Sequence, residues 1–266
     1  MPIGKCFLGY CILICLLCLA SITPFLSPYS YQETNLALAN QAPSWNHWFG
    51  TDDLGRDVFT RVSYGISISL GVGLAAAVLD LIIGFFWGGI AGMTGGIVEK
   101  ALMRIIDILV CIPSLILSIL LVIVLGNGIY SLILALGLTG WVSMARLVKS
   151  EISFIKNQDY YLNGKLIGAS SSRLLFHYIL PNIFHTVLIC LTLTIPSAIF
   201  SEAFLSFLGI GVQAPIASLG SMAFESLNAY HNYPWRLFFP SIFITLIIFS
   251  FYLIAEDLKE QKEMYA

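Results

Sequence analysis

Asp80 and Glu202 are carboxylates set inside long apolar stretches, and Lys165, Arg173 and His177 crowd a short polar insert between two further stretches. In a chain of 266 residues, 58% hydrophobic and 11% charged, such groups are scarce. An acid at the centre of a bilayer costs about 2.5–3.5 kcal/mol on insertion scales, so it must face protein or water. Asp80, near the centre of one stretch, and Glu202, near the outer end of another, are therefore expected to line a solute path or to serve packing through protonation or hydrogen bonds. Arg104 and Asp107, three apart, share a helix face and are expected to pair. Bond-making chemistry is poorly supported. His177 and His185 flank the polar insert, Asp80 and Asp107 fall at different depths, and no nucleophile–base pair suggests itself. An intramembrane enzyme and a plain membrane scaffold remain the remote alternatives. No GxxxxGK[ST] pattern occurs: Gly4-Lys5 is followed by Cys6 and Gly164-Lys165 by Leu166. The chain has no phosphate-cradling loop and is not expected to hydrolyse ATP.

Low charge content, against about 25% in soluble domains, points to an integral membrane protein. A net charge of −2 without a basic stripe argues against a nucleic-acid partner. Cys6, Cys11, Cys15, Cys18, Cys111 and Cys190 all lie in apolar runs. Cys15 and Cys18 form a CxxC, but no His, Asp or Glu stands near it, so the cysteines read as small packing residues and no metal site is expected. The first apolar run follows Lys5 and has Pro24 near its end and Pro28 just beyond. Ala37-Leu38-Ala39 resembles a cleavage site but lies too far downstream, which favours a retained anchor over a signal peptide.

Apolar windows fall near 6–26, 64–92, 105–125, 129–147, 183–205 and 237–255. Each suits a helix crossing a core about 30 Å thick, and lipid permits no open backbone. The expected fold is all-α, with about six transmembrane helices and both termini on one side. That side receives Lys5, Lys100, Arg104, Arg146, Lys149, Lys156, Lys165, Arg173, Lys259 and Lys262; the other receives Arg56, Arg61 and Arg236. The bias places both termini and the 148–182 loop in the cytoplasm. Segments 27–63 and 206–236 then face outward, and Trp45, Trp48, Tyr233 and Trp235 suit the membrane interface. The chain divides into an anchor with its outward segment, 1–63, and a five-span core, 64–266.

Gly84, Gly88 and Gly92 recur every four residues, one helix face on which another backbone can approach closely. In the outward segment Gly50 and Gly55 suit tight bends, and Asp52 or Asp53 suits a helix cap. Within the insert Tyr160–Asn182, apolar and polar residues alternate at helical spacing between Asp159 and Tyr178, with Leu162, Leu166, Leu174 and Leu175 available to bury. Gly168 is expected to break it into two short helices, and Pro181 to open the fifth span. Ordered loops of this length are uncommon without a role.

The insert resembles the cytoplasmic coupling loop of ABC-importer permeases, Glu-Ala-Ala, three residues, Gly, nine residues, Ile, one residue, Leu-Pro. Here these positions fall on Leu162-Asn163-Gly164, Gly168, Tyr178 and Leu180-Pro181; the Gly and Leu-Pro match, the triplet and the Ile do not. GTDDLGRDVFTRVSYG (50–65), including Gly50, Thr51, Asp52, Gly55, Arg56 and Asp57, is similar to the segment preceding the second span of dipeptide, oligopeptide and nickel importer permeases. Gly95-Gly96-Ile97-Val98-Glu99, Met103-Arg104-Ile105-Ile106-Asp107, Ile112-Pro113-Ser114 and the run Ser201–Gln213, SEAFLSFLGIGVQ, match further blocks in order. The chain thus resembles the second of the two permease subunits of such importers, with the type I importer fold, a coupling helix and a place in a bacterial inner membrane. The resemblance implies four kinds of partner: a homologous second permease, two ATP-binding subunits carrying ATP and magnesium, an extracytoplasmic substrate-binding protein and lipid. It also implies that Tyr160, Lys165, Gly168, Ala169, Ser170, Arg173, Leu180 and Pro181 contact the ATP-binding subunit. Peptide is the expected cargo, with nickel or another small solute as the alternative.

Overall fold

Long apolar runs in lipid must close their own backbone hydrogen bonds, and helices do so within one segment. The computed structural model describes residues 3–265 as a helical bundle. The helices are α1 (Ile3–Leu26), α2 (Val58–Thr94), α3 (Gly96–Val110), α4 (Ser114–Leu125), α5 (Ile129–Lys156), α6 (Asp159–Leu166), α7 (Ser171–Arg173), α8 (Leu180–Phe207), α9 (Leu219–Ser226) and α10 (Trp235–Tyr265). Helices α7 and α8 are joined without a break by a π-helical stretch, Leu174–Ile179. Ile82, Phe86, Ile123 and Phe249 stay exposed on the bundle surface, as a lipid solvent allows.

Phe7–Leu26, α2, α5, Ser171–Phe207 and Trp235–Lys262 are each long and apolar enough to cross a membrane. The span expected over 105–125 is not one helix: α3 and α4 meet at 87°. Pro113 lacks an N–H and restricts the residue before it, so the helix stops there and restarts at Ser114. The pair still makes one net crossing. Gly84 faces Met144, Gly88 faces Ala145 and Gly92 faces Ile152, so α2 and α5 run parallel. The chain leaves α2 at the end where the Lys156 Nζ donates to the carbonyls of Gly92 and Met93, at 3.0 and 3.1 Å. It must return to the opposite end before α5 begins, and only α3 and α4 are available. Six traversals result.

The start of α1 and the end of α10 lie at the Lys156 end: Gly9 packs on Leu253, and Lys262 Nζ donates to Thr186 Oγ1 at 2.6 Å. Position 63, the expected close of an N-terminal unit, falls inside α2, and α1 shares one core with α2, α8 and α10 through Leu16, Ala20, Val62, Ile199 and Ile247. The opposite end gathers residues 27–57 and 208–234, where Arg236 Nη1 donates to Asn40 Oδ1 at 2.9 Å.

The α2–α5 seam is the tightest joint. A Cβ at Gly84 would lie 2.6 Å from Met144 Cβ, one at Gly92 would lie 2.9 Å from Ile152 Cβ, and one at Gly88 would strike the Ala145 backbone. Gly137 returns the favour from α5, facing Leu79. Gly88→Leu is therefore expected to cost more than the ~1–3 kcal/mol of ordinary overpacking, because backbone blocks relief. Gly89→Leu, with nothing within 4 Å, serves as control. Thermal aggregation of the detergent-purified chain should show a large loss for Gly88→Leu and little change for Gly89→Leu.

Candidate functional site

At the Lys156 end, α5 runs directly into an elbow that returns through α8. Gln158 precedes α6, and Gly168 at φ +82° takes a backbone conformation that side chains resist. Ser170 then caps the next helix, its hydroxyl accepting from Arg173 N at 3.3 Å. Pro181 stands in the first turn of α8, where it was expected to open the fifth span, and the π stretch runs on into that turn from the short helix begun at Ser171. The widened π turn just before Pro181 accommodates its missing donor and its ring.

One face of the elbow is bolted to the bundle. Tyr161, Leu174 and Ile179 are buried with Met144, Val148, Ile152 and Ile155 of α5. Gly164 admits the Tyr178 ring, and Tyr160 lies parallel to that ring with centroids 6.4 Å apart. The other face is open. Leu166 and Ile167 are 83% and 82% exposed, and Lys165, Ser170, Arg173 and Pro181 are exposed beside them. A hollow of about 590 Å³ runs along Ile167, Gly168, Ala169, Arg173 and His177. The elbow thus brings Tyr160, Lys165, Gly168, Ala169, Ser170 and Arg173 together, with Leu180 and Pro181 in the first turn of α8. Leu162 and Leu166, expected to bury with Leu174 and Leu175, are instead exposed, and Ile167, exposed beside them, escaped the sequence reading.

Asp80 sits midway along α2 and is 3% exposed, its carboxylate laid against Gly140 of α5, where no side chain stands in the way. It borders a cavity of about 310 Å³ between α4, α5 and α8. Glu202, expected on the same path, does not line that cavity. It is fully buried and accepts from Ser69 Oγ and Ser206 Oγ, both at 2.8 Å. Ser206 in turn accepts from Val212 N at 3.0 Å, so Glu202 ties α8 to α2 and to the following loop. The Arg104–Asp107 pair is not formed: Asp107 accepts from Arg146 Nη2 of α5 at 2.7 Å instead. The bend brings α3 against α5, a partner that spacing along one helix does not reveal. Among the described residues no group of three His, Cys, Asp or Glu side chains is placed to hold a metal.

The segment at the far end is a polar fastener. Gly50 and Gly55 turn at φ +74° and +71°, as expected. Asp52 Oδ1 accepts from Leu54 N and Arg56 N, both at 2.9 Å, and Oδ2 accepts from Arg56 Nε at 2.6 Å and from Arg61 Nη1. Glu225, at the end of α9, joins Arg56 Nη2 and Arg61 Nη2, each at 3.1 Å. Thr51 N donates to Gln41 O at 3.0 Å. The helix cap is neither Asp52 nor Asp53 but Asp57, which accepts from Thr60 N at 2.8 Å and meets His47 Nδ1 at 3.0 Å. This arrangement joins three remote segments.

Burial alone would raise the Asp52 carboxyl, but the charges of Arg61 and Arg56, with the hydrogen bonds from Arg56, outweigh it and hold Asp52 below its ordinary value of 3.8. A depressed folded value stabilises the fold above the ordinary value and is lost as pH falls through the lowered one. The melting temperature of the purified chain should fall on acidification below about pH 4. Asp52→Asn should lose ~3–5 kcal/mol of stability at neutral pH, seen as a lower melting temperature, and show a flatter acid limb.

Residues 84–259 match the family described as "Binding-protein-dependent transport system inner membrane component". The chain is 49% identical over 252 residues to the oligopeptide transport system permease protein OppC of Bacillus subtilis, covering 95% of this chain and 83% of the relative. It is 47% identical over 253 residues to the dipeptide transport system permease protein DppC of the same organism, covering 95% and 79%. Its fold is also that of a chain from an amino acid ABC transporter crystallised with histidines, at a TM-score of 0.59 and 14% identity over 76% of this chain and 94% of that one. A chain of the MetNI methionine ABC transporter in inward-facing conformations matches at 0.56 and 19%, over 73% and 94%. A bundle of six traversals with an exposed elbow and no nucleotide loop fits these likenesses: the chain belongs to the inner-membrane components of binding-protein-dependent transport systems, the permease subunits of ABC importers, whose ATPase lies in separate subunits.

Proposed function

We propose that the chain is one of two distinct permeases of a peptide importer and that its elbow is the handle by which an ATP-binding subunit moves it. The observation that carries this reading is the elbow itself, packed into α5 and α8 on one face and presenting Leu166 and Ile167 to water on the other. Exposed apolar pairs of this kind supply grip, while Lys165 and Arg173 at the rim orient docking. Closure of two ATP-binding subunits, each holding ATP and magnesium, pulls the elbow sideways. Because α5 and α8 are its two arms, the pull tilts both helices and shifts the bundle between inward-open and outward-open states.

The excess of Lys and Arg at the elbow end supports a cytoplasmic elbow and cytoplasmic termini in a bacterial inner membrane. The far end, with the Asp52 fastener and residues 208–234, then forms the floor on which an extracytoplasmic binding protein docks. Peptide as cargo, rather than nickel, is supported by the two Bacillus relatives, whose names specify oligopeptides and dipeptides.

Cells lacking the gene, restored with the wild-type chain, should take up a labelled tripeptide. Restoration with Gly168→Trp or with residues 169–173 deleted should leave membrane insertion intact and abolish ATP-driven uptake. Uptake at the wild-type rate with either variant contradicts the lever. Absence of peptide uptake with the wild-type chain contradicts the cargo.

A further inference from the structure

The Asp80 carboxylate is a buried group that neither the elbow nor the fastener uses. Its Oδ1 has no hydrogen-bond partner, although Asp80 is 3% exposed. A buried acid left unpaired is costly, and native structures tolerate one chiefly where a ligand or ion completes it. The cavity beside it has the chemistry of such a ligand. Ser118, Thr139, Ser143, Thr194 and Ser197 place hydroxyls around its wall, and no Lys, Arg or His lines it. Ser118 and Thr139 satisfy one another at 3.0 Å, and Thr194 and Ser197 donate to carbonyls of their own helix, leaving their oxygens free to accept. The site is thus one acid group within a ring of hydroxyl oxygens. A hard divalent cation needs several oxygen ligands of higher charge, which this wall lacks.

We propose that Asp80 and this hydroxyl ring form a binding site, midway through the bundle, for a primary ammonium group carried by the transported solute. A primary ammonium has three N–H donors, one for the carboxylate and two for hydroxyl oxygens, and the pairing with carboxylate is the strong, charge-assisted kind. The volume of about 310 Å³ admits a headgroup and not a whole oligopeptide, so the site holds the amino end or a lysine side chain of a passing peptide. This assignment of the ammonium to a peptide rests on the peptide reading above. Gly140 positions the acid, since any Cβ there would strike the carboxylate.

Cys190 is half-buried on the same cavity wall and reports on the site directly. The assembled transporter in proteoliposomes, with Cys6, Cys11, Cys15, Cys18 and Cys111 replaced by alanine, is treated with cationic 2-aminoethyl methanethiosulfonate or neutral methyl methanethiosulfonate. Modification of Cys190 is followed by mass spectrometry of this chain. Asp80→Asn should lower the cationic-to-neutral rate ratio by about tenfold, the scale of one lost charge-assisted contact, and Asp80→Glu should restore most of it. An unchanged ratio in Asp80→Asn, or a Cys190 inert to the neutral reagent, overturns the site. Tripeptide uptake by the same wild-type vesicles is read in parallel. A ratio that depends on Asp80 without peptide uptake upholds the ammonium site and overturns only the peptide cargo.

Discussion

The closeness of α2 to α5 is the constraint from which the rest follows. Membrane helices gain nothing from hiding apolar surface from lipid, so they associate through packing contacts that only small residues permit at short range. Gly84, Gly88 and Gly92 on α2 and Gly137 and Gly140 on α5 supply those positions over most of the shared length. Two helices locked this way behave as one rod, and α5 continues into the elbow. In the proposed lever, a force on the elbow reaches Asp80 through this rod, because Asp80 lies against Gly140 on the same seam.

The two ends of that rod are built for different tasks. At one end, buried ion pairs among Asp52, Arg56, Arg61 and Glu225 join the start of α2 to α9, and Asp53 and Asn40 hold Arg236 of α10. Buried charges satisfied from several segments strongly disfavour alternative arrangements, because stranding any one of them is costly. At the other end the connection is short and its outer face is apolar and open. The bundle is thus held firm at one end and offers an open apolar face at the other, the arrangement the proposed two-state lever requires.

Much of this was legible in the sequence where the signal is local. A four-residue glycine period announces a close-packed face, long apolar windows announce spans, and Gly168 announces a broken elbow. Most of the missed features depend on partners far away in the chain. Asp107 has an arginine three residues before it, yet its partner is Arg146, which the bend at Pro113 brings near. Glu202 looked free to face a path because Ser69, its donor, stands 133 residues earlier. Asp57 rather than Asp52 or Asp53 takes the cap because α2 begins at Val58, a boundary that residue type alone does not display.

The central claim is mechanical: the elbow is where an ATP-driven subunit takes hold. Ile167→Cys, placed on its most open face, should form a disulfide-length crosslink to an ATP-binding subunit in the assembled transporter, and that crosslink should lock ATPase activity. A cysteine there that links only to the extracytoplasmic binding protein, or to no ATP-binding subunit while transport proceeds, would contradict the account.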